Sequence, residues 1–223
     1  MLVQLKHVLG PGELSRVNEL LDGAQFVDGK LSAGKAAAPV KNNQEITSSD
    51  PRIEQLNQIV MGNLVRHPMY QKAALPLRVA QPFYAVYSEG MSYGEHIDDP
   101  VMGNEQRYRS DLAVTIFLNA PEEYDGGELS IQTEFGAQEI KYAAGDAVLY
   151  PATTRHQVKE VTNGARKVAV TWVQSMIRDP GQRSILYELG VARDRLLRKA
   201  PDEESTKQID HAYVNLVRMW SEV

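Results

Sequence analysis

At 223 residues, with 43% hydrophobic and 24% charged residues, the chain has the make-up of a globular protein able to bury a proper core. A net charge of −5 without a dense basic run excludes a broad nucleic-acid surface, and no apolar run approaches the roughly 18 residues of a membrane span. Zero cysteines exclude disulfides, Fe–S clusters and thiolate zinc; with no charged-then-apolar leader, the expected compartment is the cytoplasm.

Met1 to Leu9 reads as a short strand, and Pro11 to Leu21 as a helix with Leu14, Val17 and Leu21 on one face. From Asp28 to Glu45 the chain is rich in Gly, Ala and Lys and has no apolar period. A loop of this length with no structure of its own in a compact domain is a functional lid or a disordered segment. Ser49-Asp50-Pro51 has the chemistry of a helix start, followed by Ile53, Leu56, Val60 and Leu64 at helical spacing.

From Leu77 the pattern turns to short β-rich runs: 77–88, 111–118, 128–133, 138–142, 147–150, 156–161 and 167–174. Turn signals separate them, among them Asp125-Gly126-Gly127 and Asn163-Gly164. Strands at this spacing without intervening helices predict an antiparallel sandwich or jelly roll. Helical patterning returns at Pro180–Ala200 and Pro201–Val223, with Pro201 suited to the first turn of the second helix. Ile185, Leu189, Ala192 and Leu196 form one apolar stripe, and Ile209, Tyr213, Leu216 and Trp220 another. These stripes must bury, either on each other and the barrel or between two chains as a homodimer.

Without thiolates, any metal must rest on His, Asp or Glu, which suits iron or manganese more than zinc. His96 and Asp98 share one face of an extended segment. With a third ligand they would make the two-histidine, one-carboxylate face used by non-haem Fe(II) oxygenases. His156 opens a strand further on, and Asn163-Gly164 reads as a hairpin turn that brings Arg166 back beside it. An arginine facing the interior of a barrel needs an anion, and its planar fork suits a carboxylate. His7, His67 and His211 have no matching partners and read as structural or solvated, and Tyr124 as a loop aromatic; Arg109 fits a substrate contact or a structural ion pair.

Tyr87-x-x-Gly90-x-x-Tyr93-x-x-His96-x-Asp98, Arg109-Ser110-Asp111-Leu112, Phe117-Leu118, Gly126-Gly127-Glu128-Leu129, Ala144-Gly145-Asp146, His156 and Arg166 together resemble the 2-oxoglutarate/Fe(II) dioxygenases. The likeness is to bacterial PKHD-type hydroxylases, relatives of the prolyl-4-hydroxylase catalytic domain, and the C-terminal helices share it. The resemblance implies a mainly β double-stranded β-helix with N- and C-terminal helices around it. It divides the chain into a support region with the lid loop (1–77), a dioxygenase core (78–177) and a helical hairpin (178–223). It implies that His96, Asp98 and His156 hold Fe(II), that Arg166 and Tyr87 hold 2-oxoglutarate, and that Trp172 lines that pocket. L-ascorbate, O2 and a small-molecule or peptide substrate belong to the same implication, and so does an association with iron uptake.

The expected reaction is hydroxylation of an unactivated carbon with release of succinate and CO2. Two other classes compete: a cupin-like metal-dependent hydrolase or isomerase, and a non-catalytic sensor of iron or 2-oxoglutarate. Arg166 at the cosubstrate position weighs against the hydrolase.

Overall fold

The computed structural model describes residues 1–35, 37–103 and 106–223. The N-terminal part alternates short strands with supporting helices: β1 (Val3–Leu5), α1 (Pro11–Asp22), β2 (Phe26–Asp28), β3 (Lys41–Asn42), β4 (Gln44–Ile46), α2 (Ile53–Leu64) and α3 (Pro68–Ala74). The β-rich part follows with β5 (Pro76–Val79), β6 (Phe83–Ser88), β7 (Ser92–His96), β8 (Val101–Met102), β9 (Tyr108–Arg109), β10 (Leu112–Phe117) and β11 (Tyr124–Gly126). It ends with β12 (Leu129–Thr133), β13 (Gly136–Ile140), β14 (Ala147–Pro151), β15 (His156–Val158) and the long β16 (Val161–Ser175), before α4 (Pro180–Lys199) and α5 (Glu204–Trp220).

Two antiparallel sheets make a jelly-roll core. The larger runs β1-β14-β10-β16-β6-β4-β2, with β5 and β11 also pairing β16, and the smaller runs β13-β12-β15-β7-β3. Period two decides what each strand contributes. On β10, Leu112, Val114 and Ile116 pack outward under α1, α2 and α3 with Val17, Leu56 and Leu64. Ala113 and Phe117, on the opposite face, pack inward with Tyr87, Val148, Tyr150 and Val168. β16 follows the same rule, with Ala169 and Val173 outside and Val168, Val170 and Trp172 inside. The strand runs were therefore readable, while the short edge strands β2, β3, β4, β8 and β9 were not.

The structure corrects four local expectations. Asn163-Gly164 is no hairpin turn: both residues lie inside β16, and Asn163 pairs with Asp125 and Gly164 with Tyr124 of β11. Gly164 has φ +73°, and a Cβ there would stand 2.3 Å from the Glu123 carbonyl oxygen, so glycine permits a close strand approach rather than a reversal. Residues 28–45 are not structureless: they hold two 3₁₀ turns and two strands, although Ala36 lies outside the described residues. α2 begins at Ile53 rather than at Pro51: residues 51–52 form a turn, and the Asp50 carboxylate accepts N–H bonds from Gln25 at 2.9 Å and Arg52 at 2.8 Å. Pro201 sits in the break before α5 rather than in its first turn.

The C-terminal stripe is also displaced along α4. Arg183, Leu186 and Gly190 form the buried line, while Ile185 is 54% exposed. Leu186 packs with Leu75 and Ile177 at the barrel end, and Tyr213, Leu216, Val217 and Trp220 of α5 close over them. Among the described residues, no helix is long and apolar enough to cross a membrane.

Candidate active site

β7 and β15 are antiparallel neighbours, and their register places His96 directly opposite His156. Strand pairing thus joins two histidines far apart in sequence, leaving their ring centroids 4.3 Å apart. Asp98 stands just past the end of β7 and turns back toward both. Its Oδ1 is 3.9 Å from His96 Nε2 and 3.7 Å from His156 Nε2. Ligand atoms of the three residues all lie within 4.8 Å of one another.

The backbone fixes both rings. His96 Nδ1 lies 2.8 Å from the Gly94 carbonyl and His156 Nδ1 lies 2.9 Å from that of Thr154. A carbonyl only accepts, so each Nδ1 carries the proton and each Nε2 presents its lone pair to the centre. Burial, then the nearby His156, pushes His96 down to about 4, which keeps it neutral. Trp172 Nε1–H donates to Asp98 Oδ2 at 2.9 Å, leaving Oδ1 free. Burial raises the Asp98 carboxyl above its ordinary range. Two buried imidazole lone pairs and a buried carboxylate oxygen facing one point fit a divalent cation such as Fe(II).

Arg166 comes from the other sheet. It is 1% exposed and lies with its guanidinium over the rings of Tyr87 at 5.1 Å and Phe117 at 5.7 Å. Among the described residues no carboxylate pairs with it, and its Nε has no hydrogen-bond partner. A buried guanidinium without a counter-ion is costly, so this position suits an anion. Arg166, Tyr87, Thr115 and Tyr150 line a cavity of about 40 Å³ with His96, Asp98, His156 and Trp172. Burial pushes the Tyr87 phenol up to about 12, so it stays a hydroxyl donor. This inner cavity adjoins an outer one of about 350 Å³, and Phe83, Tyr93 and Trp172 line both.

Thr115 and Tyr150 were missed because each sits inside an apolar run; the inward parity of β10 and β14 could have found them. Lys41, which the sequence offers with Lys30 and Lys35 as a lysine of the 28–45 segment available to an anionic group, is only 3% exposed. Its partner Glu45, which was missed, is 5% exposed. Arg109 takes the structural option: it bonds Asp111 through Nε at 2.6 Å and approaches Glu222 at 3.5 Å. His67 caps α3, His7 lies by Asp146 at the surface, and His211 is exposed on α5. Tyr124 lies in the short strand β11 rather than in a loop, and it is 2% exposed.

Residues 82–174 match the family model of the 2OG-Fe(II) oxygenase superfamily, and residues 180–222 match that of the PKHD-type hydroxylase C-terminal domain. Over 100% of both chains, the sequence is 47% identical to a PKHD-type hydroxylase of Thioalkalivibrio sulfidiphilus. It is 42% identical to one of Burkholderia ambifaria, again over 100% of both chains. Among solved structures it resembles a prolyl-4-hydroxylase of Pseudomonas putida, with TM-score 0.54 and 16% identity over 78% of this chain and 92% of that one. A prolyl hydroxylase of Trichoplax adhaerens aligns with TM-score 0.56 and 18% identity, over 82% of this chain and 86% of that one. At these identities the two structural likenesses establish the fold.

Proposed function

For a chain that belongs to the PKHD-type hydroxylases of the 2OG-Fe(II) oxygenase superfamily, we propose that His96, Asp98 and His156 hold Fe(II) and that Arg166 and Tyr87 hold 2-oxoglutarate. The family's reaction is 2-oxoglutarate-dependent hydroxylation, with Fe(II) and 2-oxoglutarate as cofactors. One observation carries the residue assignment: the three-ligand face and an unpaired, fully buried arginine line the same cavity.

Bound Fe(II) and 2-oxoglutarate supply the oxidising power, O2 delivering one oxygen atom to the substrate and one to succinate as CO2 leaves. The protein's own residues bind, orient and exclude water. The carbonyls of Gly94 and Thr154 hold the imidazoles in the metal-binding tautomer. Trp172 fixes which carboxylate oxygen of Asp98 faces the metal. Arg166 offers its fork to the distal carboxylate of the keto acid, with the Tyr87 hydroxyl beside it. The substrate C–H enters through the outer cavity, between Phe83, Tyr93 and Trp172.

L-ascorbate support follows from the resemblance alone. The test is succinate formation from 2-oxoglutarate with Fe(II) against the same protein with Zn(II). Succinate with Fe(II) only, abolished by His96→Ala, Asp98→Ala or His156→Ala, is the expected result. Full activity in any of the three would remove that residue from the metal site. A part in iron handling is tested by comparing metabolites of iron-limited cells with and without the protein.

A further inference from the structure

The segment from β3 to β4 carries a buried ion pair that the metal and cosubstrate sites leave unexplained. β3 pairs with β7 of the smaller sheet and β4 with β6 of the larger, so residues 41–46 bridge the two sheets beside the metal face. Lys41 Nζ meets Glu45 Oε1 at 2.5 Å and Ser32 Oγ at 2.8 Å. It stands 5.2 Å from the Phe83 ring centroid and 5.3 Å from that of Tyr93. Stability alone does not account for such a pair, because packed hydrocarbon commonly serves as well.

The position of Lys41 gives it a use. It lines the outer cavity together with His96, Asp98 and Trp172, but not the inner one that holds Arg166. An ammonium has three donors; among the described residues Nζ hydrogen-bonds Ser32 Oγ and stands in ion-pair contact with Glu45 Oε1, which leaves at least one N–H unused. We infer that Lys41, held by Glu45 and Ser32, is a substrate-anchoring residue whose remaining N–H takes a carboxylate or carbonyl oxygen of the molecule to be hydroxylated. Glu45 neutralises the ammonium, so the site selects an acceptor oxygen by hydrogen bonding. The aromatic walls of Phe83 and Trp172 take the adjoining carbon skeleton. This inference rests on the dioxygenase reading and adds a substrate class to it.

The probe is a matched panel of N-acetyl amino acids, their primary amides, and alkylamines lacking any oxygen. Binding is measured by equilibrium dialysis under nitrogen, with and without Fe(II) and 2-oxoglutarate. Acceptor-bearing members should bind and weaken at least about tenfold in Lys41→Met, the loss expected for one charge-assisted hydrogen bond. Binding by the acids alone assigns a carboxylate; binding by acids and amides assigns a carbonyl. Since Lys41→Met strands the Glu45 charge, Lys41→Met/Glu45→Leu removes both; it should melt no lower than wild type and still lose binding. Unchanged binding in either variant, equal binding of the oxygen-free amines, or no acceptor-bearing ligand for wild type overturns the inference. Failure of wild type to take up Fe(II) with 2-oxoglutarate, read from the charge-transfer absorption of that complex, overturns the underlying reading instead.

Discussion

At the scale of the residue, the site is held together by single hydrogen bonds with identifiable jobs. Trp172→Phe keeps an aromatic wall but removes the indole N–H that meets Asp98 Oδ2, together with part of the ring volume. Loss of such a partner to a metal-binding carboxylate is expected to weaken metal affinity by about 10- to 100-fold. Metal titration of the two proteins checks this, and equal affinities would make Trp172 a pocket wall only. Arg166→Ala should raise the 2-oxoglutarate requirement while leaving metal bound. Removing one partner of a buried charge pair costs roughly 2–5 kcal/mol, about 30- to several-thousand-fold. Arg166→Lys should recover part of this, since an ammonium cannot make two parallel bonds. An unchanged 2-oxoglutarate titration in the alanine variant would place the anion elsewhere. The pairing of His96 with Asp98 was legible because a His-x-Asp pair in an extended segment declares a shared face, whereas His156 joined them through the family resemblance. The buried Lys41–Glu45 pair was illegible, because strands of two and three residues carry no period and sequence cannot say which of the segment's lysines is buried.

At the scale of the element, β16 bears most of the site's precision, from Arg166 to Trp172, and the Asn163-Gly164 reading failed on it. The dipeptide that makes a two-residue hairpin also suits any position needing positive φ, and here β11 lies against the strand at that point. Gly164→Ala should cost about 2 kcal/mol or more, from the left-handed backbone and the collision with Glu123. Two residues from Arg166, it should also weaken 2-oxoglutarate binding. Denaturant titration and a cosubstrate titration read the two effects, and wild-type values in both would mean that β11 simply moves aside. The bridging segment 28–45 gives a second element-scale prediction. The exposed Leu31 within it and its wall on the outer cavity lead us to expect proteolytic cleavage there that slows when metal and 2-oxoglutarate are present. Equal cleavage with and without them would make it a fixed wall.

At the scale of the whole molecule, the C-terminal hairpin decides whether one chain is self-sufficient. Its apolar positions were legible by helical period, but the buried line on α4 was not, because a stripe does not reveal which side meets the barrel. Gly190 allows the close crossing: a Cβ there would stand 3.2 Å from the Tyr213 ring. The hairpin is tied back where the Glu222 N–H donates to the Met176 carbonyl at 2.8 Å and Arg109 reaches Glu222. Leu186 and Ile177 are fully buried within the single chain, beneath Leu216 and Trp220. If that burial is internal, stability is independent of protein concentration, whereas a stripe shared between chains gains stability by mass action. We therefore expect the urea midpoint to stay constant over a roughly hundredfold range of concentration, with Trp220→Glu lowering it equally throughout. A midpoint that climbs with concentration in wild type and ceases to do so in Trp220→Glu would show instead that the hairpin completes its core on a second copy of the chain.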